Sequence, residues 1–177
     1  MASEDEEFTT LFQDFYPSLC RFLECLLGGR AALAQDLAQE SFLQLHRTAW
    51  TKLPPGEVRF WLYRVARNFA INEFRKGQTR YRLFDQVAQV MRPRRRNPEE
   101  EYEAQERQQL VLEMLQSLPE DQRTALLLRE QEQLSYREIG EVMKVSESKV
   151  KVDIFRARAS LRERWSKRAK TAGASAS

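Results

Sequence analysis

Two cysteines and one histidine in 177 residues leave little from which to build metal or redox chemistry. Cys20 and Cys25 lie five positions apart in an apolar stretch. On a helix that separation is a rise of about 7.5 Å with the side chains pointing to different sides, so a disulfide is disfavoured and buried thiols are expected. With His46 as the single imidazole, no Cys/His zinc set can be assembled at the usual spacing. A nucleophile–base pair and a phosphate-binding glycine loop are also missing, which argues against a helical enzyme; no cofactor is expected. No signal peptide or long apolar run is present, so a soluble, cytoplasmic protein is expected. Nothing alternates as a strand does. Apolar residues recur at three and four throughout, and the fold class is all-α.

A strong net charge is absent too: the formal balance is only +3. Its distribution is uneven. Residues 59–82 hold seven Arg/Lys against one Glu, and residues 149–170 hold nine against two acids. The acids gather at Glu4-Asp5-Glu6-Glu7 and from Glu99 to Glu106. Two basic blocks in a nearly neutral chain point to two contacts with a polyanion.

Phe8, Phe12, Phe15, Leu19, Phe22 and Leu26 mark a first helix, with Pro17 starting its second half or kinking it and Gly28-Gly29 stopping it. A second helix is expected over 31–50, and Leu53-Pro54-Pro55-Gly56 breaks the chain. A third is expected over 57–76, ended by Gly77. Residues 78–100 lose the periodicity and read as a flexible linker, in which Leu83, Phe84, Val87 and Val90 suit a short helix. Helices resume near Tyr102, Pro119 suits the first turn of another, and residues 170–177 read as a disordered tail. The architecture is two small helical domains and a connector.

Residues 134–162 pair two helices across a short break. Ser135-Tyr-Arg-Glu138 is a capping box, and Ser146 can cap the second helix. On that helix Val150, Ile154, Ala157 and Leu161 form one apolar stripe. The opposite face carries Ser148, Val152, Phe155, Arg156 and Ala159, flanked by Lys149, Lys151, Arg158 and Arg162. This fits a helix-turn-helix whose second helix enters the major groove. Asp153 projects about 110° from the centre of the outward face, near the core edge and within reach of Lys149 and Arg156. Val152 lies at the centre, where an apolar side chain can meet a thymine methyl.

The third helix, EVRFWLYRVARNFAINEFRK, gives Val58, Leu62, Val65, Ala66 and Phe69 to a core stripe. A second face collects Phe60, Arg64, Arg67, Asn68, Ile71 and Arg75, with Trp61 and Phe74 at its margins. Rings that stack on bases and cations that meet phosphates suit single-stranded DNA, and an asparagine among them can bond a base edge. On the second helix Ala34, Leu37, Ala38, Ser41 and Leu45 form the buried side. Asp36, Gln39, Glu40 and Leu43 share the other, which suits either solvent or a partner's basic helices.

Taken together these blocks resemble a bacterial sigma factor of the extracytoplasmic-function (ECF, group IV) class over residues 8–165. DLAQESFLQLHR resembles the family's core-polymerase-binding helix, and FWLYRVARNFAINEFRK its promoter-melting, minus-10-reading helix. LPEDQRTALLLREQEQLSYREIGEVM and KVKVDIFRAR resemble its minus-35-binding domain. The resemblance implies sigma region 2 over 1–77, a linker over 78–100 that threads polymerase near the RNA path, and sigma region 4 over 101–169. It also implies core RNA polymerase and promoter DNA, duplex and melted, as partners, and it admits an anti-sigma factor.

By this likeness Asp36, Gln39, Glu40, Phe42 and Leu43 bind core polymerase. Asn68 matches the asparagine associated with a flipped-out minus-10 base, and Phe60, Trp61, Tyr63, Arg64, Arg67, Ile71 and Arg75 help hold melted DNA. Ser148, Lys149, Lys151, Val152, Phe155, Arg156 and Arg158 fall at the minus-35 element. The family usually carries a small polar residue and a base where this chain has Val152 and Asp153, so an altered minus-35 preference is expected. The rival reading is a stand-alone dimeric helix-turn-helix regulator, which accounts for residues 134–162 and leaves the other two surfaces without a role.

Overall fold

The computed structural model describes residues 3–54, 56–84 and 98–174. Its elements in chain order are α1 (Glu4–Leu26), α2 (Ala31–His46), a 3-10 turn (Trp50–Lys52), α3 (Glu57–Phe84), α4 (Pro98–Gln116), α5 (Glu120–Glu130), α6 (Tyr136–Met143) and α7 (Glu147–Ala174). No strand occurs among the described residues, and no helix there is long and apolar enough to cross a membrane.

Local chemistry sets most of the boundaries. Ser3 and Glu6 close a capping box at the start of α1, where four acids also meet the positive end of the helix dipole. Pro17 sits inside α1 without ending it. The helix stops where Gly28 and Gly29 take φ of +73° and +87°, a region that side chains with a Cβ rarely enter. The second helix ends at His46, short of the expected Trp50; Trp50 instead turns inward on the 3-10 turn and packs its ring 5.7 Å from that of Phe8. At the other end α7 runs to Ala174, so the expected tail is helical to that point, and residues 175–177 lie outside the described residues.

The third helix does not end at Gly77 but continues to Phe84. One glycine inside a helix costs only about 1 kcal/mol relative to alanine, and its neighbours favour helix. Leu83 and Phe84 therefore belong to α3, while Val87, Val90 and residues 85–97 of the expected linker lie outside the described residues.

Helices α1, α2 and α3 pack on one another, as do α5, α6 and α7. The two groups also meet: α1 lies against α4 and α5, and α3 against α6, so the buried residues form one continuous cluster. This contact turns the buried side of α3. Leu62, Tyr63, Ala66 and Ala70 are buried, whereas Val58, Val65 and Phe69 of the expected stripe are only half-buried. The sequence pattern shows the face toward α1 and α2; the second neighbour comes from some 70 residues later in the chain, as in the bond from Arg59 to Glu132 with a separation of 73.

In the C-terminal half the expected capping box of α6 is present: the Glu138 amide donates to Ser135 Oγ (3.2 Å) and the Ser135 amide to the Glu138 carboxylate (2.7 Å). Those bonds hold the Glu138 carboxyl below its usual range. The turn that follows depends on two positions. Lys144 adopts a left-handed φ of 57°, and a Cβ on Gly140 would stand 2.8 Å from the Val145 carbonyl oxygen. Gly140→Ala gains up to about 1 kcal/mol of helix propensity but forces a backbone oxygen aside, an overpacking cost of about 1–3 kcal/mol. Net destabilisation is expected, read as a lower urea midpoint with an unchanged slope.

Candidate nucleic-acid and partner surfaces

The outward face of α7 is the clearest of the three surfaces. Val150, Ile154 and Ala157 are fully buried against α5 and α6, which fixes the rotation of the helix. Ser148, Val152, Phe155 and Arg156 consequently project outward, with Phe155 69% exposed. Two apolar side chains held in water at the centre of a basic helix have no packing role within this chain. Ser146 caps α7 by accepting from the Lys149 amide at 3.2 Å.

Three of the four flanking cations are already engaged. Lys149 Nζ reaches Asp153 at 2.6 Å and Asp121 at 3.0 Å, and these carboxylates raise its pKa. Lys151 pairs with Glu147 at 3.2 Å, and Arg158 with Glu130 at 2.6 Å. Asp153 is 6% exposed and faces the core edge, clear of the outward face.

On α3 the expected DNA face divides in two. Asn68 is exposed, and with Arg67, Ile71, Asn72 and Arg75 it lines a groove of about 770 Å³ whose opposite wall is Pro119-Glu120-Asp121 at the start of α5. Phe60 and Trp61 are half-buried and pack on the core. Tyr63 lies elsewhere altogether: it is fully buried, and its hydroxyl donates to the Glu132 carboxylate and lies 3.2 Å from the Ser18 hydroxyl. Burial and the adjacent Glu132 carboxylate push its pKa well above the ordinary phenol value. In this arrangement it cannot reach a nucleic acid. Arg64 donates to the Glu141 carbonyl at 2.9 Å, and Arg67 to Glu120 at 3.0 Å and Asp121 at 2.8 Å. Phe74 is covered by the Arg123 guanidinium, 5.5 Å from its centroid.

The third surface is on α2, where Asp36, Gln39, Glu40 and Leu43 are exposed as the periodicity predicts. Phe42 is buried, with its ring 4.8 Å from that of Phe12 and 6.2 Å from that of Phe8. It forms the floor of an apolar groove of about 430 Å³ whose walls are Phe8, Phe12, Gln39, Leu43 and His46. Sequence reasoning missed the contribution of α1 to this groove, although the spacing of Phe8 and Phe12 was the available signal. It also missed Arg59, which donates to the Glu132 carbonyl at 2.7 Å and carboxylate at 3.3 Å.

Apart from Phe8, the residues of these surfaces fall within the ranges matched by two known family models. The family model "Sigma-70 region 2" matches residues 11–80, and "Sigma-70, region 4" matches residues 108–161. The RNA polymerase sigma-H factor of Pseudomonas aeruginosa is 36% identical over 138 residues, 71% of this chain and 69% of that protein. The ECF RNA polymerase sigma-E factor of Haemophilus influenzae is 34% identical, covering 70% of this chain and 69% of its own length. SigM of Bacillus subtilis, an ECF RNA polymerase sigma factor, is 29% identical over 86% of this chain and 91% of its own. Among solved structures, the sigma factor RpoE of Bartonella quintana, crystallised with the anti-sigma factor NepR, shares the fold. Its TM-score is 0.67 at 20% identity, over 89% of this chain and 95% of that one.

The pairing of Lys149 with Asp153 can be tested directly. Lys149→Met strands a buried carboxylate and is expected to cost about 1–2 kcal/mol, less than for a fully buried pair because the lysine is partly solvated. Adding Asp153→Asn should recover part of that loss. A urea-denaturation double-mutant cycle measures the coupling, and strict additivity would show that the pair is not coupled in solution.

Proposed function

The chain belongs to the ECF group of the sigma-70 family of RNA polymerase sigma factors, and we propose from its three surfaces how it performs that family's task. The protein binds core RNA polymerase and directs it to promoters for transcription initiation. The family is not one of enzymes. In our reading the chain supplies no catalytic residue and works in the cytoplasm with the polymerase. Residues 1–77 act as region 2 and residues 101–169 as region 4, with 78–100 connecting them.

The α2 surface docks the polymerase. Leu43, 51% exposed beside the groove floored by Phe42, is the apolar anchor, and Asp36, Gln39 and Glu40 form its polar rim. Region 2 then takes the melted strand on α3. Asn68 reads an extruded base by hydrogen bonding, Phe60, Trp61 and Ile71 supply apolar surface, and Arg64, Arg67 and Arg75 meet phosphates. Contacts made only by unpaired bases offset the lost pairing and stacking, so binding favours the open duplex. Tyr63 supports α3 from inside and holds no DNA while it remains covered.

Region 4 lays α7 along the minus-35 duplex, with Val152 and Phe155 against base edges and Ser148, Lys149, Lys151, Arg156 and Arg158 around them. Apolar contact at the centre favours a thymine methyl over a hydrogen-bonding edge. The observation that carries the reading is the exposure of Val152 and Phe155 opposite the buried Val150, Ile154 and Ala157 of the same helix. A stand-alone regulator would leave the α2 and α3 surfaces unused.

Run-off transcription with bacterial core polymerase on genomic promoter fragments tests the function: transcripts are expected only when the chain is added. Their absence at every salt concentration would overturn it. The assignment of surfaces has its own test. Asn68→Ala removes a base contact of about 1–3 kcal/mol and should lower open-complex formation roughly tenfold or more with little change in polymerase affinity. Asp36→Ala with Glu40→Ala should do the reverse, and the opposite pattern would exchange the two roles.

A further inference from the structure

Val152 and Phe155 stand three positions apart on α7, so their side chains are neighbours and form one apolar patch. They are 44% and 69% exposed, while Val150, Ile154 and Ala157 of the same helix are buried and hold the patch outward. Ser148 and Ala159, one turn to either side, are short, so the patch stands proud of the helix surface. The two lysines beside Val152 are drawn toward acids on other faces of the helix: Lys149 to Asp153 at 2.6 Å and Lys151 to Glu147 at 3.2 Å. A valine in a helix holds essentially one rotamer, so its methyl groups have a fixed direction.

Two side chains make far too little surface for a lasting protein interface, which buries about 800 Å² on each partner. The floor of the major groove suits them better. It admits one α-helix, and the only apolar group that its base edges offer is the C5-methyl of thymine. Val152 has neither donor nor acceptor, so it cannot tell bases apart by hydrogen bonding. What it can sense is whether that methyl is there. Cytosine presents an N4 amino group in place of O4 and a hydrogen in place of the methyl. Methylation at C5 restores the methyl and leaves the amino group as it was. Resting on the minus-35 reading of α7, we propose that Val152, backed by Phe155, reads the pyrimidine C5-methyl group, so that methylating a minus-35 cytosine at this position strengthens the element. The ligand class is a C5-methylated pyrimidine in duplex DNA, either thymine or 5-methylcytosine. Promoter choice by this chain then responds to cytosine methylation as well as to sequence.

The test uses the full chain with core polymerase, bound to a promoter that yields run-off transcripts. Thymines of its minus-35 element are replaced one at a time by deoxyuridine, which removes a methyl and keeps every hydrogen-bonding group. Cytosines are replaced one at a time by 5-methylcytosine, which adds one. At a single position the methyl is expected to tighten binding about fourfold, the worth of one buried carbon, with little change elsewhere. Where that position holds a T·A pair, converting it to C·G and then methylating the cytosine should regain about the same factor. Val152→Ala should remove the response and Phe155→Ala should reduce it. Both residues are exposed, and the substitution measurements on the unmodified chain stand without either variant. A minus-35 element indifferent to every one of these methyl groups would overturn the proposal. So would a methyl response of full size in Val152→Ala, since the methyl would then be read by another side chain or through the shape of the duplex. Transcription from the promoter persists in both cases, whereas failure of the sigma-factor reading leaves no transcript at all.

Discussion

A buried guanidinium ties the two halves together. Arg123 is 7% exposed, and burial lowers its pKa. It donates to the Leu26 carbonyl at 2.9 Å, to the Gln116 side chain at 2.7 Å and to the Leu118 carbonyl at 3.1 Å. The last carbonyls of a helix have no partner within it and carry the negative end of its dipole. Arg123 satisfies such groups at the end of α1 and, through the Gln116 carbonyl at 3.4 Å, at the end of α4. Gln116 adds bonds to the Cys25 and Leu26 carbonyls at 3.2 and 3.1 Å, and the glycine at position 28 leaves room for its side chain. With Phe74 of α3 beneath the guanidinium, one residue of α5 meets α1, α3 and α4.

That fixed seam decides which cations are available at the surface. Pairs such as Arg67–Asp121 and Lys149–Asp153 explain how two dense basic blocks coexist with a net charge of only +3. They also change how DNA binding should be understood. A lysine that leaves a carboxylate for a phosphate gives up an interaction of the same kind, so net affinity is smaller than the count of basic residues suggests. Salt weakens the internal pair and the phosphate contact together, which flattens the dependence of binding on ionic strength. What the internal pairs do not offset is the apolar centre of α7, where Val152 and Phe155 lose water only when a partner covers them.

Features set by local spacing were legible in the sequence. The Ser135–Glu138 box, the buried stripe of α7, the division of α2 and the inward position of Asp153 each follow from residues within a few turns of one another. The exposed positions of Asn68, Val152 and Phe155 followed for the same reason. Tyr63 and Phe42 did not, because their surroundings come from distant segments: Glu132 covers the first, and Phe8 and Phe12 of α1 enclose the second. Helical periodicity separates two faces, and α3 has three, one each for the α1–α2 pair, for region 4 and for solvent. A residue on the middle face reads as exposed until its partner is known. Gly77 misled for another reason, since its modest cost is spread over a helix of 28 residues.

The energetics of separating the halves are unevenly placed, and this bears on reversibility. Asp121 lies between two helices, with one oxygen 2.8 Å from Arg67 and the other 3.0 Å from Lys149. When α3 departs, Asp121 keeps Lys149, and Glu120 turns to water at little cost, since exposed ion pairs contribute about 0–1 kcal/mol each. Glu132 is different. It is buried, and it loses Arg59 and Tyr63 in the same movement. Hydration compensates the carboxylate only once water reaches the seam, so the resistance to opening is concentrated at Glu132 and at the Arg123 bonds to α1. The apolar contacts that join the two groups of helices into one continuous cluster are lost in the same step, so separation exposes apolar as well as polar surface.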